Sequence, residues 1–156
     1  MLVALAFAQS IASAQTKVIK YHPQDESAVK EVYSILLPDS AIVGYYNRYY
    51  LSGEKEATVK FVQGKKDSVY TEYYPNGQVK LMVNYQNGVM QGPFKAFHPN
   101  GKLLQEGAYE NDQQQGIFKT YSTDGTIKKE TEFVKGFPEG VVREYYADGK
   151  LKSEIT

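Results

Sequence analysis

The chain has no cysteine, no tryptophan, two histidines and no excess of either charge. Without cysteine there are no disulfides, thiol nucleophiles, thiolate metal sites or lipid-bearing cysteine anchors, a composition compatible with an oxidising compartment. Lys plus Arg equal Asp plus Glu at 18 each, so no global field draws the chain to nucleic acid or to an anionic membrane. Neither His22 nor His98 lies in a spaced set of Asp or Glu that would begin a metal site, and His98 reads as a surface position. Asp112, Asp124 and Asp148 fall in separate turns, unlike a calcium loop. The glycines from Gly88 to Gly92 lack the GK(S/T) of a phosphate loop, and no serine stands in a nucleophile elbow. No catalytic residue, cofactor or metal is expected.

What is abundant is tyrosine and glycine, 14 and 13 of 156 residues. They are periodic. YYPNGQVK (Tyr73 to Lys80) returns as FHPNGKLL from Phe97, YSTDGTIK from Tyr121 and YYADGKLK from Tyr145. The turn glycines Gly53, Gly77, Gly101, Gly125 and Gly149 step by 24 residues, without insertion or deletion. A repeat array precedes any other reading. A second series, Phe61, Tyr85, Tyr109 and Phe133, keeps the same step, each followed by a turn at Gly64, Gly88, Asp112 or Gly136. A small residue opens each unit: Gly44, Ser68, Gly92, Gly116 and Gly140. Asn-Gly and Asp-Gly pairs are strong hairpin signals because these residues accept positive φ. Each period therefore holds two strands and two turns, and the fold class is all-β: tandem hairpins in an elongated, twisted antiparallel sheet.

The pattern G-x-F-K-x-Y-x-x-(N/D)-G-K-L, as in Gly116 to Ile127 and Gly92 to Leu103, resembles the MORN repeat variant. In bacteria this variant is typical of YwqK-family proteins, labelled antitoxin components of toxin–antitoxin systems. The resemblance covers 44–156 as five units, 44–67, 68–91, 92–115, 116–139 and 140–156. Departures are Ser68 for the opening glycine, Asp112 for the turn glycine and Leu51-Ser52 before Gly53. The resemblance implies a MORN-like array and an antitoxin-like role.

Residues 1–14, MLVALAFAQSIASA, carry no charge. An apolar run from Leu2 to Ala8 leads to Ala12-Ser13-Ala14, which reads as the h-region and cleavage site of a secretory signal, although no basic n-region precedes it. The run is far shorter than the about 20 residues of a membrane span. On this reading the mature chain begins at Gln15 and is exported, to the periplasm, the outer membrane surface or the medium. Otherwise the segment is part of the fold. Residues 15–43 read as cap strands: Thr16 to Tyr21 alternates, His22-Pro23 breaks it, and Asp25-Glu26-Ser27 can start a turn of helix through Lys30. Val32 to Leu37 and Ala41 to Tyr50 are β-rich around a Pro38-Asp39-Ser40 turn.

Within a repeat, Val79, Leu81, Val83 and Tyr85 are expected on one face. Phe94 and Phe97 are three apart, as are Tyr46 and Tyr49, Tyr70 and Tyr73, and Phe118 and Tyr121. That offset predicts a bulge or strong twist between them, or else a sheet aromatic on both faces. Glu106, Glu130 and Glu154 share one repeat position, and Lys95, Lys119 and Arg143 another; cross-strand pairing on a solvated face accounts for both columns. Tyr45, Tyr46, Tyr49, Tyr50, Tyr70, Tyr73 and Tyr74 form the densest aromatic cluster and the expected binding face, since tyrosine is enriched at interfaces. The sequence thus reads as a non-catalytic protein that holds a protein partner in the cell envelope. A lipid-headgroup or glycan-binding surface module is the alternative, as is a cytoplasmic antitoxin if residues 1–14 are not a signal.

Overall fold

The structure, a computed structural model, describes residues 14–156. The expected signal, apart from Ala14, lies outside the described residues. Thirteen strands follow in order: β1 (Gln15–His22), β2 (Asp25–Leu36), β3 (Ala41–Tyr49), β4 (Lys55–Val62), β5 (Lys65–Lys66), β6 (Val69–Tyr73) and β7 (Val79–Gln86), then β8 (Val89–Phe97), β9 (Leu103–Glu110), β10 (Gln113–Tyr121), β11 (Ile127–Val134), β12 (Phe137–Tyr145) and β13 (Leu151–Ile155). They form one open antiparallel sheet in sequence order, with β5 paired only to β4. No helix occurs among the described residues. The turn of helix expected from Asp25 is strand instead: β2 starts there, its first residues held by Asp25 Oδ1, which accepts from the Ser27 backbone and hydroxyl.

Two kinds of turn alternate along the sheet. At one margin, Gln63-Gly64, Asn87-Gly88, Asn111-Asp112 and Lys135-Gly136 have positive φ at both residues. This is the two-residue hairpin turn whose twist suits the flanking strands. At the other margin only the glycine is positive, as at Gly77 (φ 80°), and the preceding Asn or Asp acts through its side chain. Asn76, Asn100, Asp124 and Asp148 each accept the backbone N–H two residues on. The expectation that these Asn and Asp residues supply positive φ is therefore corrected; they cap the turn.

Two register shifts per repeat shape the sheet. The first surrounds the opening glycine: Phe94 pairs with Val83 while Met90 pairs with Tyr85, so two extra residues around Gly92 (φ 95°) bulge out of β8. Where Ser68 replaces that glycine the strand is broken, which is why β5 and β6 are separate. The second shift lies just before the second aromatic. Glu72 pairs with Leu81 but Tyr73 with Val79, leaving Lys80 as the extra residue. A shift was expected between the paired aromatics, but its extra residue sits on the facing strand. Tyr70 and Tyr73 therefore stay on opposite faces, and Val79 moves to the face away from Leu81, Val83 and Tyr85.

Side chains line up in rows crossing the sheet. One row runs Val18, Tyr33, Tyr46, Val59, Tyr70, Val83 and continues Phe94, Gly107, Phe118, Thr131, Val142, Ile155. Large rings on first strands alternate with small or β-branched residues on second strands, so rings fill the gaps. Gly107 is the tightest case: a Cβ there would lie 2.6 Å from the Phe118 ring. With a single layer, only Ala57, Val59, Val83, Phe118 and Thr71 are buried among the described residues. Each of the two valines contributes about 1.5–3 kcal/mol. Most stability comes from repeated pairing rather than from a closed core.

Candidate binding face

The aromatic face is built by that row and a second line of rings beside it, Phe61, Tyr85, Tyr109 and Phe133. Tyr46 stacks between Tyr33 and Phe61 at 5.7 and 6.1 Å. Tyr70 meets Tyr85 edge-on at 6.3 Å. Phe94, Tyr109, Phe118 and Phe133 form a continuous edge-to-face and tilted stack with centroids 5.2–6.0 Å apart. Such pairs add about 0.5–1.5 kcal/mol beyond their buried area. All but Phe118 keep part of the ring in solvent.

Charge sits beside the rings of this face at its N-terminal end, and Lys129 and Glu144 share the face at the C-terminal end. Lys66 Nζ lies 4.8 and 4.7 Å from the Tyr70 and Tyr85 ring centroids. Burial, with the Arg48 charge behind it, lowers the Lys66 pKa. Tyr70 Oη donates to Glu72 Oε1 at 2.5 Å, and burial followed by that carboxylate raises its pKa. Arg48 Nε donates to Glu56 Oε2 at 2.8 Å, and its Nη2 approaches Glu72 at 3.8 Å.

The seven tyrosines expected to share a face are distributed. Tyr46 and Tyr70 belong to the aromatic face. Tyr45, 67% exposed, pairs with Lys60 and points to the opposite face with Tyr49 and Tyr73. Tyr50 and Tyr74 sit at the turn margin and reach into the next repeat: Tyr50 Oη donates to the Tyr73 carbonyl at 2.6 Å and Tyr74 Oη to that of Phe97 at 2.8 Å. His98 occupies the same repeat position and is half-buried, not a surface residue; its Nε2 lies 3.1 Å from the Tyr121 carbonyl. His22 Nε2 contacts the Tyr49 carbonyl likewise at 3.1 Å. These inter-repeat clamps were missed in the sequence, although the signal is present: Tyr50, Tyr74, His98 and Tyr146 are all rings with a polar tip. Asn76 and Asn100 add parallel clamps through Nδ2 to Pro99 and Thr123 carbonyls. The turn glycines Gly53, Gly77, Gly101, Gly125 and Gly149 lie along this margin, each donating its N–H to the carbonyl three residues back.

The opposite face carries a charge ladder. Lys95, Glu106, Lys119, Glu130, Arg143 and Glu154 face one another in that order, one per strand. Lys119 Nζ is 3.2 Å from Glu130, and Arg143 Nε donates to Glu154 at 2.7 Å. Tyr121 and Tyr145 donate from the same face to Glu106 and Glu130. Burial raises the Glu130 pKa, but hydrogen bonds from Tyr145 and Lys119 outweigh it and hold the carboxyl below the usual range. Burial and the Glu106 hydrogen bond push the Tyr121 phenol up to about 12. The expected cross-strand pairing is thus what the columns do.

A cleft of about 590 Å³ lies between the cap and the first turn, lined by Ile19, Val29, Val32, Tyr49 and Leu51 with Lys17 at its rim. Among the described residues no group of three or more His, Asp and Glu is placed to hold a metal ion. No helix there is long and apolar enough to cross a membrane.

Compared with known families, the chain matches the MORN repeat variant at residues 66–87, 90–111, 114–135 and 138–156, over half its length. The four matches keep the 24-residue step but start just past the two-residue turns rather than at the opening glycines. The hairpin of β3 and β4 precedes them with the same bulge glycine and turn glycine. No curated protein matches the chain.

Proposed function

The chain belongs to the MORN repeat variant family, an all-β repeat that is typically non-catalytic and suggests a module for binding, and on that premise we propose that it holds a protein partner on its aromatic face. The observation that carries this is the unroofed set of rings from Tyr33 to Phe133, half-buried apart from the buried Phe118 and spread over nine strands of a one-layer sheet. Rigid aromatic side chains offer large contact area at little entropic loss. Of the tyrosines expected at a binding face, Tyr46 and Tyr70 lie on it, and Tyr50 and Tyr74 brace it from the margin. The proposed location is the cell envelope, following the signal-like MLVALAFAQSIASA. An antitoxin-like role would instead place the partner, a toxin, in the cytoplasm.

Affinity capture from envelope and cytosolic fractions tests the reading, with Tyr70→Ala and Tyr85→Ala as controls on the same face. A saturable envelope protein whose capture weakens at least tenfold in both variants supports it. Capture from the cytosol alone favours the antitoxin role. Binding only to liposomes or to a glycan array, with no protein captured, overturns it in favour of a surface-binding module.

A further inference from the structure

We propose that the aromatic face takes an extended acidic segment of its protein partner, with a carboxylate near each end and apolar side chains between. This rests on the binding face proposed above and names the chemistry of what it holds. The chain as a whole carries no net charge, yet this face is not neutral. The carboxylates that flank its rings are each taken by a cation of the same face. Glu31 has Lys20 at 3.2 Å, Glu56 has Arg48 at 2.8 Å, Glu72 has Lys80 at 3.5 Å and Glu144 has Lys152 at 3.4 Å. Glu72 also accepts the Tyr70 hydroxyl, and Asp112 at the turn margin accepts the Met90 N–H. What is left over is positive. Among the described residues Lys66, Lys128 and Lys129 make no ion pair, and residues 1–13 hold no Asp or Glu.

Lys66 is the anchor at one end. It is half-buried between the Tyr70 and Tyr85 rings, and its repeat equivalents Met90, Gln114 and Pro138 carry no charge. A cation withdrawn from water gains more from an incoming carboxylate than a solvated one does. At the other end Lys128 and Lys129 line a cleft of about 360 Å³ with Thr120 and Glu144. Lys129 stands opposite Glu144 in register, but Lys152 holds that carboxylate. Lys66 lies in the row of Phe61, and Lys129 lies five strands further on and four residues nearer the glycine-turn margin. With strands about 4.8 Å apart and about 3.3 Å per residue, that diagonal is about 25 Å, the reach of about eight extended residues. It crosses the ring row at Phe94 and Gly107, so the middle of the segment meets rings and its ends meet lysines.

Panning a phage-displayed library of random linear peptides against the immobilised full chain tests this. Enriched peptides are expected to carry Asp or Glu about eight residues apart, with apolar side chains between them. Lys66→Met keeps the aliphatic stem over the rings and is expected to weaken such a peptide about tenfold. Lys129→Met, at an exposed site, is expected to weaken it about threefold. Acidic peptides whose binding Lys66→Met leaves unchanged overturn the proposal. Enriched peptides without acidic residues that still lose binding in Tyr85→Ala also overturn it, but leave the aromatic face standing as the site. No enrichment, or binding that Tyr85→Ala does not affect, overturns both readings. Retention of phosphatidylglycerol vesicles that Lys66→Met abolishes, with no peptide enriched, would assign the cations to a lipid surface instead.

Discussion

Tyr74 donates its phenolic hydrogen to the carbonyl of Phe97 at 2.8 Å, tying one repeat to the next across the turn margin. The bond spans 23 residues, one less than the repeat, and is reproduced by Tyr50 on Tyr73. Its loss should be felt as a net hydrogen bond. Tyr74→Phe is expected to lower unfolding free energy by about 1 kcal/mol in urea titration, with the slope unchanged.

The clamp fails at one junction. Ser122 is too short to reach the carbonyl of Tyr145, and Asp124, unlike Asn76 and Asn100, has no N–H to donate to the following turn. β12 and β13 should therefore open most easily. Amide hydrogen exchange is expected to be faster there than in β7 to β10, and Ser122→Tyr with Asp124→Asn is expected to slow it.

Gly107 is fixed by volume rather than by backbone angle. Gly107→Ala drives a methyl group into Phe118, whose ring has neighbours on both sides. A loss of about 1–3 kcal/mol is expected from thermal or urea unfolding. Phe118→Leu in the same chain should recover part of it, since the smaller side chain vacates the space.

Stability should fall at both pH extremes for identifiable reasons. The Glu130 carboxyl is held below its usual range when folded, so its contribution is complete above the ordinary glutamate value and is lost as pH drops through the folded one. Tyr121 is raised to about 12, so its contribution is complete below the ordinary tyrosine value and disappears as pH climbs from there to about 12. Glu130→Gln should flatten the acid limb of unfolding free energy against pH, and Tyr121→Phe the alkaline limb.

The array was legible because the repeat is a matter of spacing, and spacing survives without coordinates. Gly77 and its equivalents mark turns whatever the strands do. Faces were harder to read, because one extra residue at Lys80 reverses the alternation and sends Val79 away from Leu81. The tyrosine cluster was read as one surface, yet Tyr49 and Tyr50 are successive residues, one set on a face and the other turned along the margin. Only the pairing register separates them. The charge columns were legible for the opposite reason: Lys119 and Glu130 recur at repeat positions that hairpin geometry places side by side.

The most direct test of a binding aromatic face is site-specific photo-crosslinking in the native cell. A benzophenone side chain at Tyr85 or Tyr109 on the aromatic face, and at Tyr49 or Tyr145 on the other, samples both surfaces without deleting a clamp. The account predicts a discrete protein adduct from the first pair and none from the second. Adducts from Tyr49 and Tyr145 alone, or none from any position, would contradict it.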